Sequence, residues 1–376
     1  MDQPVVRKQI GLLFVSSYKY WAGGIIYMLN LIRALDLLND NEKPELLIFY
    51  GAESPLDDVI DLNYPYIKYH QINSDKAIVK AYLKFKRILT RKSAFFSLLP
   101  EIVYPYNKHF FLGKKPINWI PDFQEWYLPQ MFSEDLIRKR KMGQREIADG
   151  GGVVVFSSND AMNDFKKFFP DHKCELRLLK FASILPDFSY LNIKDICGKY
   201  DIEGRYFMSP NQFWVHKNHT VIFEAIALLK QDNLDFSIVF TGSQTDYRNA
   251  EYFEKLKDFI AKNQIEKWIK FLGFIDRAEQ LCLMANAEAI VQPSLFEGWS
   301  TVVEDTKAMN QYILLSDIPV HREQINKNCH FFDPTSPAQL AALIKENVLS
   351  KPQIERTDYS RNIREFAYTV LNVLQH

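Results

Sequence analysis

The sequence predicts an α/β protein of two doubly wound domains, each a parallel sheet covered by helices. Three observations lead there. The chain has 376 residues, more than one core holds, because single cores stop growing beyond about 250–300 residues. Short apolar runs alternate with segments of helical period, which is the pattern of parallel strands joined by crossover helices. That rhythm runs twice, on either side of a polar, poorly periodic stretch from Pro186 to Gly204 that reads as a linker.

In the first half, Ile10 to Ser17 is an apolar run that ends in small polar residues, followed by Gly23-Gly24 and an amphipathic segment through Leu38. This reads as strand, glycine loop and helix. Further strands are expected at Glu45–Tyr50, Ile117–Ile120 and Val153–Ser157. From Arg205 the pattern restarts with strands at Tyr206–Met208, Phe236–Thr241, Ile269–Phe274, Ala289–Gln292 and Tyr312–Leu315. Helices are expected between them at Asn218–Gln231, Glu251–Lys262, Arg277–Ala287 and after Ser300, with another after Pro337.

Composition removes several function classes. The formal net charge is zero, with 46 basic and 46 acidic residues, so the chain lacks the basic field with which nucleic-acid binders engage phosphates. Cys174, Cys197, Cys282 and Cys329 are scattered, with no close pair of the kind that builds zinc or redox sites. The N-terminus runs straight into the fold pattern without a cleavage site, and no segment has the length to span a bilayer. The expected location is the cytoplasm. A basic stretch, residues 76–92, offers a peripheral contact with the inner membrane face, although such a run also suits a solvated helix face.

Ligands of open parallel sheets bind beyond the carboxyl ends of the strands, so the loops there hold the candidate site. Ser294-Leu295-Phe296-Glu297-Gly298-Trp299-Ser300-Thr301 lies between a strand and a helix that carries Glu304 and Asp305. Glycine and small hydroxyl residues at a helix start expose backbone N–H groups to an anion such as a diphosphate. Glu297 stands before that anion site, able to meet sugar hydroxyls or positive charge developing at an anomeric carbon; Ser300 is otherwise an ordinary helix cap. Pro210 to His219 joins the first strand and helix of the second half, and Lys217 there can neutralise a leaving diphosphate. Gly242 and Gly273-Phe274 follow two further strands, where glycine equally serves plain turn chemistry. No G-x-G-x-x-G occurs, which disfavours a dinucleotide cofactor. No D-x-D occurs either, so no metal is expected and the helix start and Lys217 would hold the diphosphate.

These loops resemble family 4 of the retaining glycosyltransferases, whose two-domain fold is known as GT-B. Glu297 matches the first glutamate of that family's E-x7-E region, and Asp305 falls at the second, with Glu304 beside it. The resemblance implies a ribose contact there, by either carboxylate. Ile313 to Glu323 looks like the strand and loop that follow. Family members commonly carry an arginine five residues before the lysine, and Gln212 stands at that position. Gly273 to Asp276 resembles the segment whose backbone meets the nucleobase, which places Phe274 and Gly242 among donor-binding candidates with Gly298, Trp299, Ser300 and Thr301. Gly23 and Gly24 match the N-terminal glycine loop near donor phosphate or acceptor. Trp119 to Gln124 resembles the region near the acceptor, with Asp122 as the residue that orients the acceptor hydroxyl or simply caps a turn after proline.

The resemblance thus implies an acceptor-binding domain at 1–185, a nucleotide-sugar-binding domain at 186–355, a cleft between them, and a C-terminal helix at 356–376 that crosses back. It implies transfer of a sugar from a nucleoside diphosphate sugar, the co-substrate in place of any cofactor, to a hydroxyl of a saccharide or lipid-linked saccharide. Retention at the anomeric carbon, with the leaving phosphate taking the acceptor proton, completes the expectation. Two alternatives stand beside it: a nucleotide-sugar epimerase of the same architecture, and a non-catalytic sugar-nucleotide-binding subunit, the latter suggested by Gln212 and Asp305.

Overall fold

The computed structural model describes residues 7–15, 18–72, 100, 102–106, 115–246 and 248–375. Two units divide the chain. The first takes Met1–Pro121, Met142–Ile184 and Ser360–His376; the second takes Asp122–Lys141 and Leu185–Tyr359. Asp122, on the first half of the sequence, therefore belongs to the second unit together with the segment that follows it.

Among the described residues the first unit has seven parallel strands: β1 (Gln9–Phe14), β2 (Glu45–Tyr50), β3 (Ile67–Gln71), β4 (Ile102–Tyr104), β5 (Lys115–Ile120), β6 (Val153–Phe156) and β7 (Glu175–Leu178). Their order in the sheet is β3-β2-β1-β4-β5-β6-β7. The strands read from the sequence are its buried centre. Those without a sequence signal are the two edges, β3 and β7, and the three-residue β4. An edge strand has solvent on one side, so its residues need not be apolar, and Lys68, Tyr69, His70 and Gln71 of β3 are all exposed.

Helix α1 spans Tyr18–Asp36, so Gly23 and Gly24 lie within its second turn rather than in a loop before it. Each glycine costs up to about 1 kcal/mol against alanine in a helix, and the buried face of Ile25, Met28, Leu29, Ile32 and Leu35 offsets that cost. The C-terminal helix α2 (Ser360–Gln375) packs on α1. Arg177 caps its last turn by donating to the Val373 carbonyl at 2.9 Å.

The second unit carries β8 (Tyr206–Pro210), β9 (Ser237–Thr241), β10 (Ile269–Gly273), β11 (Ile290–Gln292), β12 (Ile313–Ser316) and β13 (Cys329–Phe332), all parallel, in the order β10-β9-β8-β11-β12-β13. Alternate side chains of each strand feed two cores. Phe207, Ile238, Phe240, Val291 and Leu314 face one way, into the helices that contain Val221–Leu229 and Leu340–Val348. Met208, Val239, Ile290, Ile313 and Leu315 face the other, into Leu281–Met284, Val302 and Val303. Both faces are covered, which is why these strands read as unbroken apolar runs. The strand order reverses between β8 and β11, and such sheets bind ligands beyond the carboxyl ends of the strands at this reversal.

Candidate active site

The two strands that flank this reversal point carry the two residues singled out for charge. Lys217 ends the tight turn Val215–Lys217 after β8, and Glu297 lies in the loop after β11. Lys217 Nζ donates to Glu297 Oε1 at 2.6 Å, with the side chains only 16% and 10% exposed. The same oxygen accepts from Gln292 Nε2 at 2.9 Å and Ser294 Oγ at 2.7 Å. Gln292 is oriented in turn by Asn211, whose Nδ2 donates to its Oε1 at 2.6 Å. Backbone bonds tie the loops together: Leu295 N–H donates to the His216 carbonyl at 2.8 Å. Asn218, in the left-handed region at φ 56°, reaches the carbonyls of Pro293 and Pro334 at 3.1 and 2.8 Å.

Electrostatics keep Glu297 ionised. Burial pushes its carboxyl up, but the Lys217 ammonium and the Ser294 hydroxyl outweigh that and leave it below the ordinary carboxylate value. His321 lies within electrostatic reach; burial pushes its imidazole down to about 4, so it is uncharged at neutral pH and Lys217 is the cation that counts. His321 is fully buried, with Nδ1 placed 2.9 Å from the Ser316 carbonyl.

The neighbouring loops close round this pair. Gly242 sits at φ 112°, and a Cβ there would lie 2.5 Å from the Asn211 carbonyl oxygen, so only glycine lets the loop after β9 lie against the loop that leads to Gln212. Gly242 N–H donates to the Gly273 carbonyl at 2.7 Å, and Phe213 N–H to the Ser243 carbonyl at 2.9 Å. Phe274, just beyond Gly273, is 68% exposed at the sheet's carboxyl edge. Ser300 caps the helix Thr301–Ala308, its Oγ accepting from Val303 N–H at 3.4 Å. Gln324 accepts from Ser300 N–H at 3.1 Å. Gly298 and Trp299 precede the cap, partly exposed.

The two carboxylates after this cap have different surroundings. Glu304 accepts from Tyr359 OH, from Lys307 Nζ at 2.8 Å and from Gln324 Nε2 at 3.0 Å. Asp305 pairs with Arg277 Nη2, and a polar chain continues from Arg277 through Gln280 Oε1 at 2.7 Å to Thr241, whose Oγ1 accepts from Gln280 Nε2 at 2.9 Å. Asp305 is thus linked to the carboxyl end of β9, whereas Glu304 ties its helix to Tyr359.

Asp122 Oδ1 accepts from Gln124 N–H at 3.1 Å and from Arg140 Nη2 at 3.0 Å. It caps a turn and forms an ion pair. Its segment packs on the charged loops, with Gln124 Oε1 3.4 Å from Arg248 Nη1 and the rings of Tyr127 and Phe296 5.7 Å apart. Gly23 and Gly24 belong to the other unit. The basic stretch 76–92 lies outside the described residues. Among the described residues no helix is long and apolar enough to cross a membrane, and no three His, Cys, Asp or Glu side chains gather as they would to hold a metal ion.

Gln292, Ser294, Asp246, Arg248, His216 and Arg277 were not singled out from sequence. Gln292 had a readable signal, a polar residue ending an apolar strand. Arg248 and Arg277 had none, because the groups they reach in the loops, His216 and Asp305, lie 32 and 28 residues away.

Residues 199–366 match the family model described as Glycosyl transferases group 1. A curated relative, the O-antigen chain mannosyltransferase RfbU of Salmonella typhimurium, is 25% identical over 158 residues, which is 42% of each chain; the match thus spans under half of that relative's length. Solved structures extend the likeness to the whole fold. Anabaena Alr3699/HepE, determined with UDP and glucose, aligns over 98% of both chains with a TM-score of 0.65 at 13% identity. WaaG, a glycosyltransferase involved in lipopolysaccharide biosynthesis, covers 98% of this chain and 95% of its own with a TM-score of 0.60 at 13% identity. The fold is that of the GT-B glycosyltransferases.

Proposed function

We propose that the protein is a group 1 glycosyltransferase that moves a sugar from a nucleoside diphosphate sugar to a hydroxyl of a saccharide or lipid-linked saccharide, in the assembly of a surface polysaccharide. The observation that carries this reading is the Lys217–Glu297 pair, placed where the strand order reverses and inside the region that matches the family. The mannosyltransferase relative and the lipopolysaccharide enzyme among the solved structures favour transfer to a polysaccharide over epimerisation.

In this reading Lys217 neutralises charge on the departing diphosphate, and the Glu297 carboxylate faces the sugar as positive charge develops at its anomeric carbon. The bond from that carbon to the phosphate oxygen breaks while a bond to the acceptor oxygen forms on the same face, and the acceptor proton passes to the leaving phosphate. Preorganised charges of this kind are each worth about 10²–10³ in rate. The fixed network of Asn211, Gln292 and Ser294 behind Glu297 is what such preorganisation needs. No metal enters the reading. Asp305, through Arg277 and Gln280, and the exposed Phe274 ring are the donor-side residues, and Asp122 the acceptor-side residue.

Thermal stabilisation against UDP, GDP, ADP, CMP and their sugars, with and without EDTA, tests the donor site. A shift with one nucleoside diphosphate that survives EDTA is expected. The absence of any shift contradicts the reading.

A further inference from the structure

Position 212, where the family that these loops resemble commonly carries an arginine, holds glutamine. The structure delivers a cation to the same loop from another part of the chain. Arg248, in the loop after β9, has a side chain only 9% exposed, and its Nε donates to Asp246 Oδ1 at 3.1 Å; the Asp246 side chain is 1% exposed. Asp246 also accepts from the N–H groups of Arg248 at 2.9 Å and Val215 at 3.3 Å, which fastens the ion pair to the turn that carries Lys217. The guanidinium lies over the rings of Trp214 and Phe132, at 4.8 and 5.3 Å from their centroids.

Arg248 Nη2 stands 3.4 Å from Nδ1 of His216. A guanidinium only donates hydrogen bonds, so Nδ1 is the acceptor and carries no proton. Burial first, then the charges of Lys217 and Arg248, push the His216 imidazole well below its ordinary value. The ring is therefore neutral at physiological pH, and its one proton resides on Nε2.

We infer that Arg248 is a positioning residue that fixes His216 in the Nε2–H form, and that His216 is a further diphosphate-binding residue beside Lys217, contributing a hydrogen bond where Gln212 contributes no charge. The inference rests on the nucleotide-sugar reading of this site. A neutral donor aimed at a charged phosphate is worth roughly 10–100-fold in affinity.

The test uses the full chain. Isothermal titration with UDP, GDP and ADP identifies the nucleotide that wild type binds best. With that nucleotide, His216→Ala is expected to lose roughly 10-fold or more, whereas His216→Gln, whose side-chain N–H reaches a position similar to Nε2, stays within about 3-fold. Arg248→Gln is expected to lose affinity as well and to change the imidazole spectrum: in ¹⁵N-histidine-labelled protein the His216 signal, assigned by its loss in His216→Gln, shows the proton on Nε2 in wild type and moves toward Nδ1 in Arg248→Gln. A destabilised fold would not select one tautomer. Wild-type affinity in His216→Ala overturns the binding role, and an unchanged tautomer in Arg248→Gln overturns the positioning role. If none of the three nucleotides binds wild type, the functional reading fails, and the ligand role of His216 falls with it.

Discussion

On the proposed function, Glu297→Gln is expected to separate donor binding from transfer in an unusual direction. Lys217 is engaged with Glu297 at 2.6 Å, so a diphosphate that recruits this ammonium has to compete with the carboxylate. At that separation an effective dielectric near 20 gives a direct attraction of roughly 6 kcal/mol, most of it offset by the cost of desolvating both groups. Glutamine keeps the size of the side chain and an oxygen that accepts from Ser294 and Gln292, and it removes both the competition and the repulsion between carboxylate and phosphate. If a quarter of the direct attraction survives as a net effect, about 1.5 kcal/mol, the variant binds nucleoside diphosphate about 10-fold more tightly. On the proposed function, transfer is expected to fall by about 10²–10³, because the charge assigned to face the anomeric carbon is gone. Isothermal titration with the nucleoside diphosphate, together with a turnover assay on its sugar, reads both effects. Weaker binding in Glu297→Gln refutes the reasoning, since it means that the carboxylate holds Lys217 in place for the phosphate; near-wild-type turnover refutes the assignment of the site.

Three further outcomes follow from packing and protonation. His216, His219 and His321 are buried and held neutral, with burial as the largest cause; His219 is pushed down to about 3 and His321 to about 4. Between the folded and unfolded values the proton binds only the unfolded chain, so stability is expected to fall as pH drops below about 6.5, by about 1.4 kcal/mol per pH unit for each such ring; urea unfolding at pH 7 and pH 5 measures it, and a flat profile contradicts it. Gly242→Ala is expected to cost roughly 2–4 kcal/mol of stability and to weaken nucleotide binding, because its Cβ would meet the Asn211 carbonyl oxygen; an unchanged melting temperature would argue against that close approach. Glu304→Ala removes the buried acceptor of Lys307, Tyr359 and Gln324 and is expected to destabilise by about 3–5 kcal/mol with nucleotide affinity retained in the folded fraction; full stability with lost nucleotide binding would instead make Glu304 the ribose-side carboxylate.

Legibility tracked burial. Strands covered on both faces, such as β8, β9 and β12, announce themselves as apolar runs, whereas the edge strands β3, β7 and β13 carry exposed residues and no readable period; the edge strand β10, which has no exposed residue, was legible. Lys217 and Glu297 were legible because each sits in a loop with its own local pattern. Their meeting was not, since 80 residues separate them. The glycine pair at 23–24 looked like a loop because glycine is a poor helix former, and the apolar face of α1 overrode that local preference. Counting puts Asp305 at the second carboxylate position with Glu304 beside it, but adjacent helical positions point about 100° apart, and only the structure shows their different partners, Tyr359 for Glu304 and Arg277 for Asp305.

The most direct test of glycosyl transfer is proton NMR of a nucleotide sugar during turnover by wild type, with water or a supplied saccharide as acceptor and Lys217→Ala alongside. The expected result is release of the nucleoside diphosphate, with the sugar first appearing in the donor's own anomeric configuration and with turnover lost in Lys217→Ala. An inverted anomer would contradict retention, and an epimer of the intact donor, or turnover that persists without Lys217, would contradict transfer at this site.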